Sequence, residues 1–218
     1  EARARRVVVL AHVPLADVGR LVAGLAQGVV QHRQVAERHA GVDVVGEVQA
    51  DAPVYPLFEP NPAQPNAKPE LKAYAFESAD FSTVRGYSGK PIDVLVAMDL
   101  TGSFIDLRLV DHKEPFFNNP TGTTRLGTFT AQYTDLSLHH TVRIHDWRSP
   151  TKRDEQSADL QGVNHGTVTT KAIDRSIFAS AAKVALAKLD PSIAAAAAAR
   201  RRSNAAGACS PACSAPPP

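Results

Sequence analysis

The chain has 218 residues, 44% of them hydrophobic and 21% charged, close to the globular average and unlike a disordered or fibrous protein. Lysine plus arginine number 24 and aspartate plus glutamate 22, a formal net charge of +2 that is too even for a dedicated nucleic-acid binder. All 13 aromatic residues lie between Tyr55 and Phe178, and 11 of the 16 prolines fall in 53–69 and 191–218. This unevenness divides the chain into an N-terminal helical flank (1–52), a domain (53–190) and a low-complexity, disordered tail (191–218).

The chain starts at Glu1 and its only methionine is Met98, which leads us to expect a processed product or a piece of a longer protein. EARARR followed by VVVLAHVPLA has the basic-then-apolar order of a signal peptide. His12, Pro14 and Asp17 interrupt it, which favours a plain amphipathic segment. No run is long enough to span a bilayer, so the chain as given is expected to be soluble. Over 17–38, Val18, Leu21, Val22, Leu25 and Val29 form one helical face. The prolines of 53–69 predict an extended connector that can be neither helix nor central strand.

Strand patterns follow at 71–78 and 91–100, and then at 104–110, where Phe104, Asp106 and Arg108 alternate with Ile105, Leu107 and Leu109. Thr101-Gly102 between the last two predicts an antiparallel hairpin. A Gly/Pro/Asn-rich loop is expected at 118–127 and another strand at 139–147. The last element is a helix over 171–190, with a stripe of Ile173, Ile177, Phe178, Ala181, Val184 and Leu189, ended by Pro191. The tail is too poor in large apolar residues to fold, apart from helical continuation through 194–199, and sequence read out of frame from GC-rich DNA would look the same. Its Cys209 and Cys213 read as incidental thiols.

Three loops could carry chemistry. Gly86-Tyr87-Ser88-Gly89-Lys90-Pro91 is a structural turn or a cradle in which glycines let backbone N–H groups approach a ligand. His112-Lys113-Glu114-Pro115 is a solvated strand end or an acid–base pair. Asn164 to Thr170 is an anion site at a helix N-terminus or an ordinary N-cap by Thr169 or Thr170. His139, His140 and His145 are close in sequence, but neighbours on a strand face opposite ways, so no metal site is expected.

The stretch AYAFESADFSTVRGYSGKPIDVLVAMDLTGSFIDLRLVDHKEP resembles the extracytoplasmic FMN-binding domain of NosR-type nitrous oxide reductase regulators and maturation proteins. That domain is related to the G subunit of Rnf complexes and the C subunit of the sodium-pumping NADH:quinone reductase. In that family a GYSGKPI-like loop leads into a hairpin ending in H-x-E-P, and a D-x-x-[ST]-G-A-T-x-[ST] motif opens the last helix. The resemblance implies an α+β fold, a small antiparallel sheet with flanking helices. It implies FMN, carried in some members on the threonine matching Thr167 by a phosphoester that a flavin transferase installs. Cofactor contacts would fall on Tyr87, Ser88, Gly89, Glu114, Pro115, Gly166, Thr167, Val168 and Thr169.

The implied role is electron transfer with redox protein partners or a membrane complex in denitrification, outside the cytoplasm. Full-length members are membrane-anchored, and the chain would not be a stand-alone catalyst. Gln161, Asn164, His165 and Gly166 stand where the motif has Asp, Ser/Thr, Gly and Ala, and Asp159 lies two positions off. Covalent FMN, noncovalent FMN and a cofactor-free regulatory or interaction module all remain compatible with these departures.

Overall fold

In the computed structural model the described residues are 52–59, 68–149 and 151–193, together with 44–45, 49 and 195. The expectations for the basic-apolar start, the 17–38 helix, Cys209 and Cys213, and nearly all of the tail lie outside them. Five strands form an antiparallel sheet in chain order: β1 Val44–Val45, β2 Val54–Glu59, β3 Glu70–Glu77, β4 Asp93–Asp99 and β5 Phe104–Asp111. A short helix, α1 (Ser78–Phe81), follows β3, and a 3-10 turn, Pro115–Phe117, follows β5. Helix α2 (Pro120–Ala131), a parallel pair β6 (Thr141–His145) and β7 (Ser157–Gln161), and helix α3 (Thr167–Lys188) complete an α+β fold. Among the described residues no helix is long and apolar enough to cross a membrane.

The run Val94-Leu95-Val96-Ala97-Met98 is buried throughout because β4 lies between β3 and β5 and loses solvent on both faces. On one face Tyr74, Phe76, Val96, Met98, Phe104 and Leu107 join Leu126, Phe129 and Tyr133 of the α2 region and Ile173, Ile177, Ala181 and Val184 of α3 in a single core. Each such side chain contributes about 1.5–3 kcal/mol of burial free energy. Edge-on ring contacts at 5.4–5.7 Å link Phe104 to Phe178 and Phe129 to Tyr133, and the Tyr133 hydroxyl donates to Asp174 Oδ1 at 3.0 Å, tying α2 to α3. At the sheet's end Val94 N–H donates to Ser78 Oγ at 2.9 Å, and Ala79 N–H to Asp93 Oδ1 at 3.1 Å.

Several expectations are corrected. The proline-rich segment contributes β2, which lies between β1 and β3 and places Pro56 opposite Tyr74. Val54 C=O accepts from Gln49 N–H, away from β3, and residues two apart in a strand aim their backbone groups to the same side. The missing Pro56 N–H therefore faces away from β3, and the β2–β3 ladder loses no bond through it. In β5 a register shift opposite Ala97/Met98 changes the alternation, placing Phe104 on the same core face as Leu107.

The loop expected at 118–127 is instead the start of α2. Asn119 is its N-cap, accepting from Gly122 N–H at 2.8 Å, with Pro120 in the first turn. The residues that suggested a loop are helix-start signals, and Leu126, Phe129 and Tyr133 supply the buried stripe. Helix α3 begins four residues earlier than expected and ends at Lys188; Pro191 opens a further helical turn at 191–193 rather than only closing α3. Strand β7, which the sequence reading did not include, pairs with β6 along its full length.

Replacing Asn119 with alanine should cost about 1 kcal/mol. Thermal unfolding should register this as a loss of roughly 2–4 °C. An unchanged midpoint would show that the cap does not hold α2.

Candidate functional site

The second strand of the hairpin carries His112 and Glu114 out of the sheet, His112 against α2 and Glu114 under the N-terminus of α3. Glu114 is 1% exposed. Its carboxylate accepts Ser88 N–H at 3.0 Å on Oε1 and Tyr87 N–H at 3.2 Å on Oε2, and the hydroxyl of Thr169 also donates to Oε2. One side chain thus joins the 86–91 loop, the end of β5 and the first turn of α3. Gly86 makes the approach possible: a Cβ there would lie 2.3 Å from Glu114 Oε1. Gly89 serves the turn differently, with φ +73° and its N–H donating to Gly86 C=O at 3.1 Å.

The two loop glycines do bring backbone N–H groups to an anion, and that anion is the chain's own carboxylate. Burial pushes the Glu114 carboxyl up, but the hydrogen bonds from Thr169, Ser88 and Tyr87 outweigh it and hold the group below the ordinary carboxylate range. His112 is also buried. Its Nδ1 accepts Glu114 N–H at 3.3 Å, so Nε2 carries the proton toward Thr123 Oγ1 at 3.2 Å, and Thr123 in turn donates to Phe117 C=O. Burial lowers the His112 pKa and outweighs the pull of Asp111 and Glu114. Both members of the His/Glu pair are committed to internal bonds, so their role here is structural.

The N-cap of α3 is Gly166, which offers no side-chain acceptor, rather than Thr169 or Thr170. Thr169 turns inward to Glu114, and Thr170 donates back to Gly166 C=O at 2.9 Å. Glu114 supplies from 55 residues away the negative charge that a helix N-terminus favours. Thr167, the first helical residue, is exposed, as is Val168. Gly166 is buried, and a Cβ there would meet the Phe117 ring at 2.9 Å. Of the expected contact residues, the structure brings Tyr87, Ser88, Glu114 and Thr169 into direct contact. Pro115 begins the adjoining turn with its side chain exposed, and Gly89 closes the loop without touching Glu114.

His165, which stands where the resembled motif has glycine, has φ +59°, the left-handed conformation that glycine adopts without strain. Histidine is a less suitable residue than glycine for that bend. Gln161 ends β7, and its backbone exchanges two 2.9 Å bonds with the Gln132 side chain, which sets the entry into α3 from the end of α2. Asp159 is bonded to His145 Nε2 at 3.1 Å and Arg143 Nε at 2.9 Å, and these partners hold its carboxyl below the usual range. Among the described residues no group of three or more His, Cys, Asp or Glu could hold a metal ion. The sequence reading missed Phe116, an exposed ring 5.8 Å from that of Tyr87; its Pro-Phe-Phe context after the H-x-E-P turn was the available signal.

Three outcomes follow from this geometry. Glu114→Ala should destabilise the fold by about 3 kcal/mol, because it orphans two backbone donors and a hydroxyl, and denaturant unfolding measures the loss. Stability should fall on acidification. The native state binds fewer protons than the unfolded chain as pH drops from 6.5 for His112 and from 4.5 for Glu114 toward their lowered native values. In Glu114→Gln the lower part of that dependence should flatten in unfolding midpoints measured across the range. His165→Gly should stabilise by roughly 1 kcal/mol by relieving the left-handed residue, and a lowered melting temperature would contradict it.

No protein-family model matches the chain. Two curated proteins, each called regulatory protein NosR, are similar to it: one from Pseudomonas aeruginosa, 24% identical over 170 residues, and one from Stutzerimonas stutzeri, 28% identical over 117 residues. The matches cover 78% and 54% of this chain but only 22% and 16% of those proteins, so the chain corresponds to about a fifth of their length. By these matches the chain is NosR-like, similar to one segment of these regulatory proteins.

Proposed function

We propose that this chain is a flavin-carrying electron-transfer domain that supports the expression or activity of nitrous oxide reductase in denitrification. It works outside the cytoplasm as the soluble portion of a membrane-anchored protein. The observation that carries this reading is the exposed Thr167 hydroxyl at the first position of α3, in a NosR-like segment whose N-cap supplies no competing side-chain acceptor. The residues fit FMN. A phosphoester needs an accessible hydroxyl, and the free N–H groups of a helix's first turn favour the phosphate's negative charge. The Glu114 carboxylate would repel a phosphate, but it is buried and satisfied by three donors, which leaves the outer side of the helix terminus for the anion.

Thr167 would hold the FMN through a phosphoester on its Oγ1, exchanging its hydroxyl proton for the phosphorus of an activated flavin nucleotide whose other nucleotide would leave. Thr167 attaches and positions; Glu114 keeps the 86–91 loop and α3 in fixed relation; Gly166 lets the Phe117 ring close beneath the helix terminus. Bound FMN supplies the electron-carrying chemistry, and no side chain here turns over a substrate. Redox proteins or a membrane electron-transfer complex would be its partners, with a flavin transferase acting on Thr167.

A cofactor-free regulatory or interaction module is the second reading. It is favoured by the use of Tyr87 and Ser88 N–H groups for Glu114 and by the altered residues Gln161, Asn164, His165 and Gly166. Co-expression with a flavin transferase separates the two. The protein should gain the mass of one FMN less one water and keep its yellow colour after acid precipitation. Thr167→Val should lose the attached flavin while changing stability by no more than about 0.5 kcal/mol, since the side chain is exposed. A protein that stays colourless in excess free FMN supports the cofactor-free module instead.

A further inference from the structure

Strand β6 belongs to a two-stranded parallel sheet, and β7 pairs only one of its two edges. Thr141 N–H donates to Gln156 C=O at 2.8 Å, and His145 C=O accepts from Gly162 N–H at 2.9 Å. Thr141, Arg143 and His145 therefore turn their backbone groups toward β7, and the residues between them turn theirs away. Val142 and Ile144 thus direct two N–H and two C=O groups outward, and among the described residues none is bonded to them.

Other strand edges of the molecule are occupied. On the far side of β7, Asp159 N–H donates to Lys152 C=O at 2.7 Å, and the backbone of Gln161 is held by the Gln132 side chain. At β5, Phe104 exchanges bonds with residues 135 and 136, and Leu107 N–H donates to the Asp106 carboxylate at 2.9 Å. The edge of β6 has no such cover, and an uncovered edge is a template for another strand. Its sequence, Thr141 to His145, has no proline or glycine and three β-branched residues. Two residues beyond it stands Trp147, 41% exposed with the Arg148 guanidinium 4.3 Å from its ring centroid, and both residue types are enriched where proteins bind.

Charge selects the occupant. Thr141, Arg143 and His145 are exposed on one face of β6, while Val142 and Ile144 pack half-buried against the core on the other. In a two-fold antiparallel pairing of two copies, the outward groups satisfy one another only with Val142 opposite Ile144, which sets Arg143 directly against its own copy. Like charges so placed repel. Arg143 is 60% exposed and uses its Nε for Asp159, which leaves other guanidinium donors in water. An added strand would lie one spacing, about 4.8 Å, from β6 and two spacings from β7, so Arg143 is nearer to it than Asp159.

We propose that the outer edge of β6 takes up an extended acidic segment of a partner protein as an added strand. A carboxylate of that segment lies beside Arg143, and apolar side chains at alternate positions lie beside Val142 and Ile144. Backbone bonds supply the binding and the alternating side chains supply the selection. This docking does not depend on whether the chain carries flavin.

Amide hydrogen exchange on the full chain, followed by NMR, tests it without disturbing the fold. In the free protein the Val142 and Ile144 amides should exchange about ten-fold or more faster than those of Arg143 and His145. A capped peptide alternating valine and glutamate, at millimolar concentration, should slow both outward amides. The same peptide with lysine for glutamate should bind about five-fold more weakly, and Arg143→Gln should remove that difference. Outward amides already protected in a monomeric free chain would overturn the open edge. Protection accompanied by a dimer in sedimentation would make a second copy the occupant instead. Failure of the glutamate peptide to slow these amides, or equal binding of both peptides to the wild type, would overturn the acidic partner.

Discussion

A single buried carboxylate sets the geometry of one end of this molecule. An ionised group out of water is tolerable only if donors surround it, and Glu114 has three, from a loop 26 residues upstream and a helix 55 residues downstream. The neighbouring features follow from that requirement. Gly86 has no side chain because the carboxylate occupies the space a Cβ would need. Thr169 faces inward because its hydroxyl is the third donor, which in turn leaves the preceding turn of α3, with Thr167 and Val168, on the outside. His112, whose pKa burial lowers, turns its Nδ1 to accept the Glu114 N–H.

The same arrangement resolves an electrostatic problem at α3. A helix with a glycine N-cap has no local acceptor, and its N-terminal dipole is unopposed. Here the compensating charge comes from a distant strand end, so the helix terminus and the 86–91 loop cannot move independently. That rigidity suits a domain that holds a prosthetic group at a fixed distance from a partner. It equally suits an interaction module with a defined surface, which is why the chemistry at Thr167 decides between the two readings.

The NosR-like similarity and the fold bear on different questions. Similarity at 24–28% identity, over 16–22% of the curated relatives, places this chain beside one segment of a longer regulatory protein. The geometry adds that His165, where the motif has glycine, sits at φ +59°, a conformation that glycine adopts without strain. At the position of the motif's aspartate, Gln132 holds the backbone of Gln161, and nearby Asp159 is occupied by Arg143 and His145.

The strands 71–78, 91–100 and 104–110, their hairpin and the stripe of the last helix were legible because each rests on local periodicity. β2 and α2 were not: proline and glycine were counted as breakers, whereas their effect depended on which side of a strand a missing N–H faces and on whether a helix had just begun. The GYSGKP loop and Glu114 were individually visible, but their contact spans 26 residues and no spacing rule reaches that far. By itself the sequence determined the α+β frame and the residue types available at the loops. Only the tertiary structure decided that the loop's N–H groups go to Glu114, that Thr169 turns in while Thr167 faces out, and that Tyr87 meets Phe116. Burying one charge forces distant donors to converge, and that convergence is a property of the packed chain.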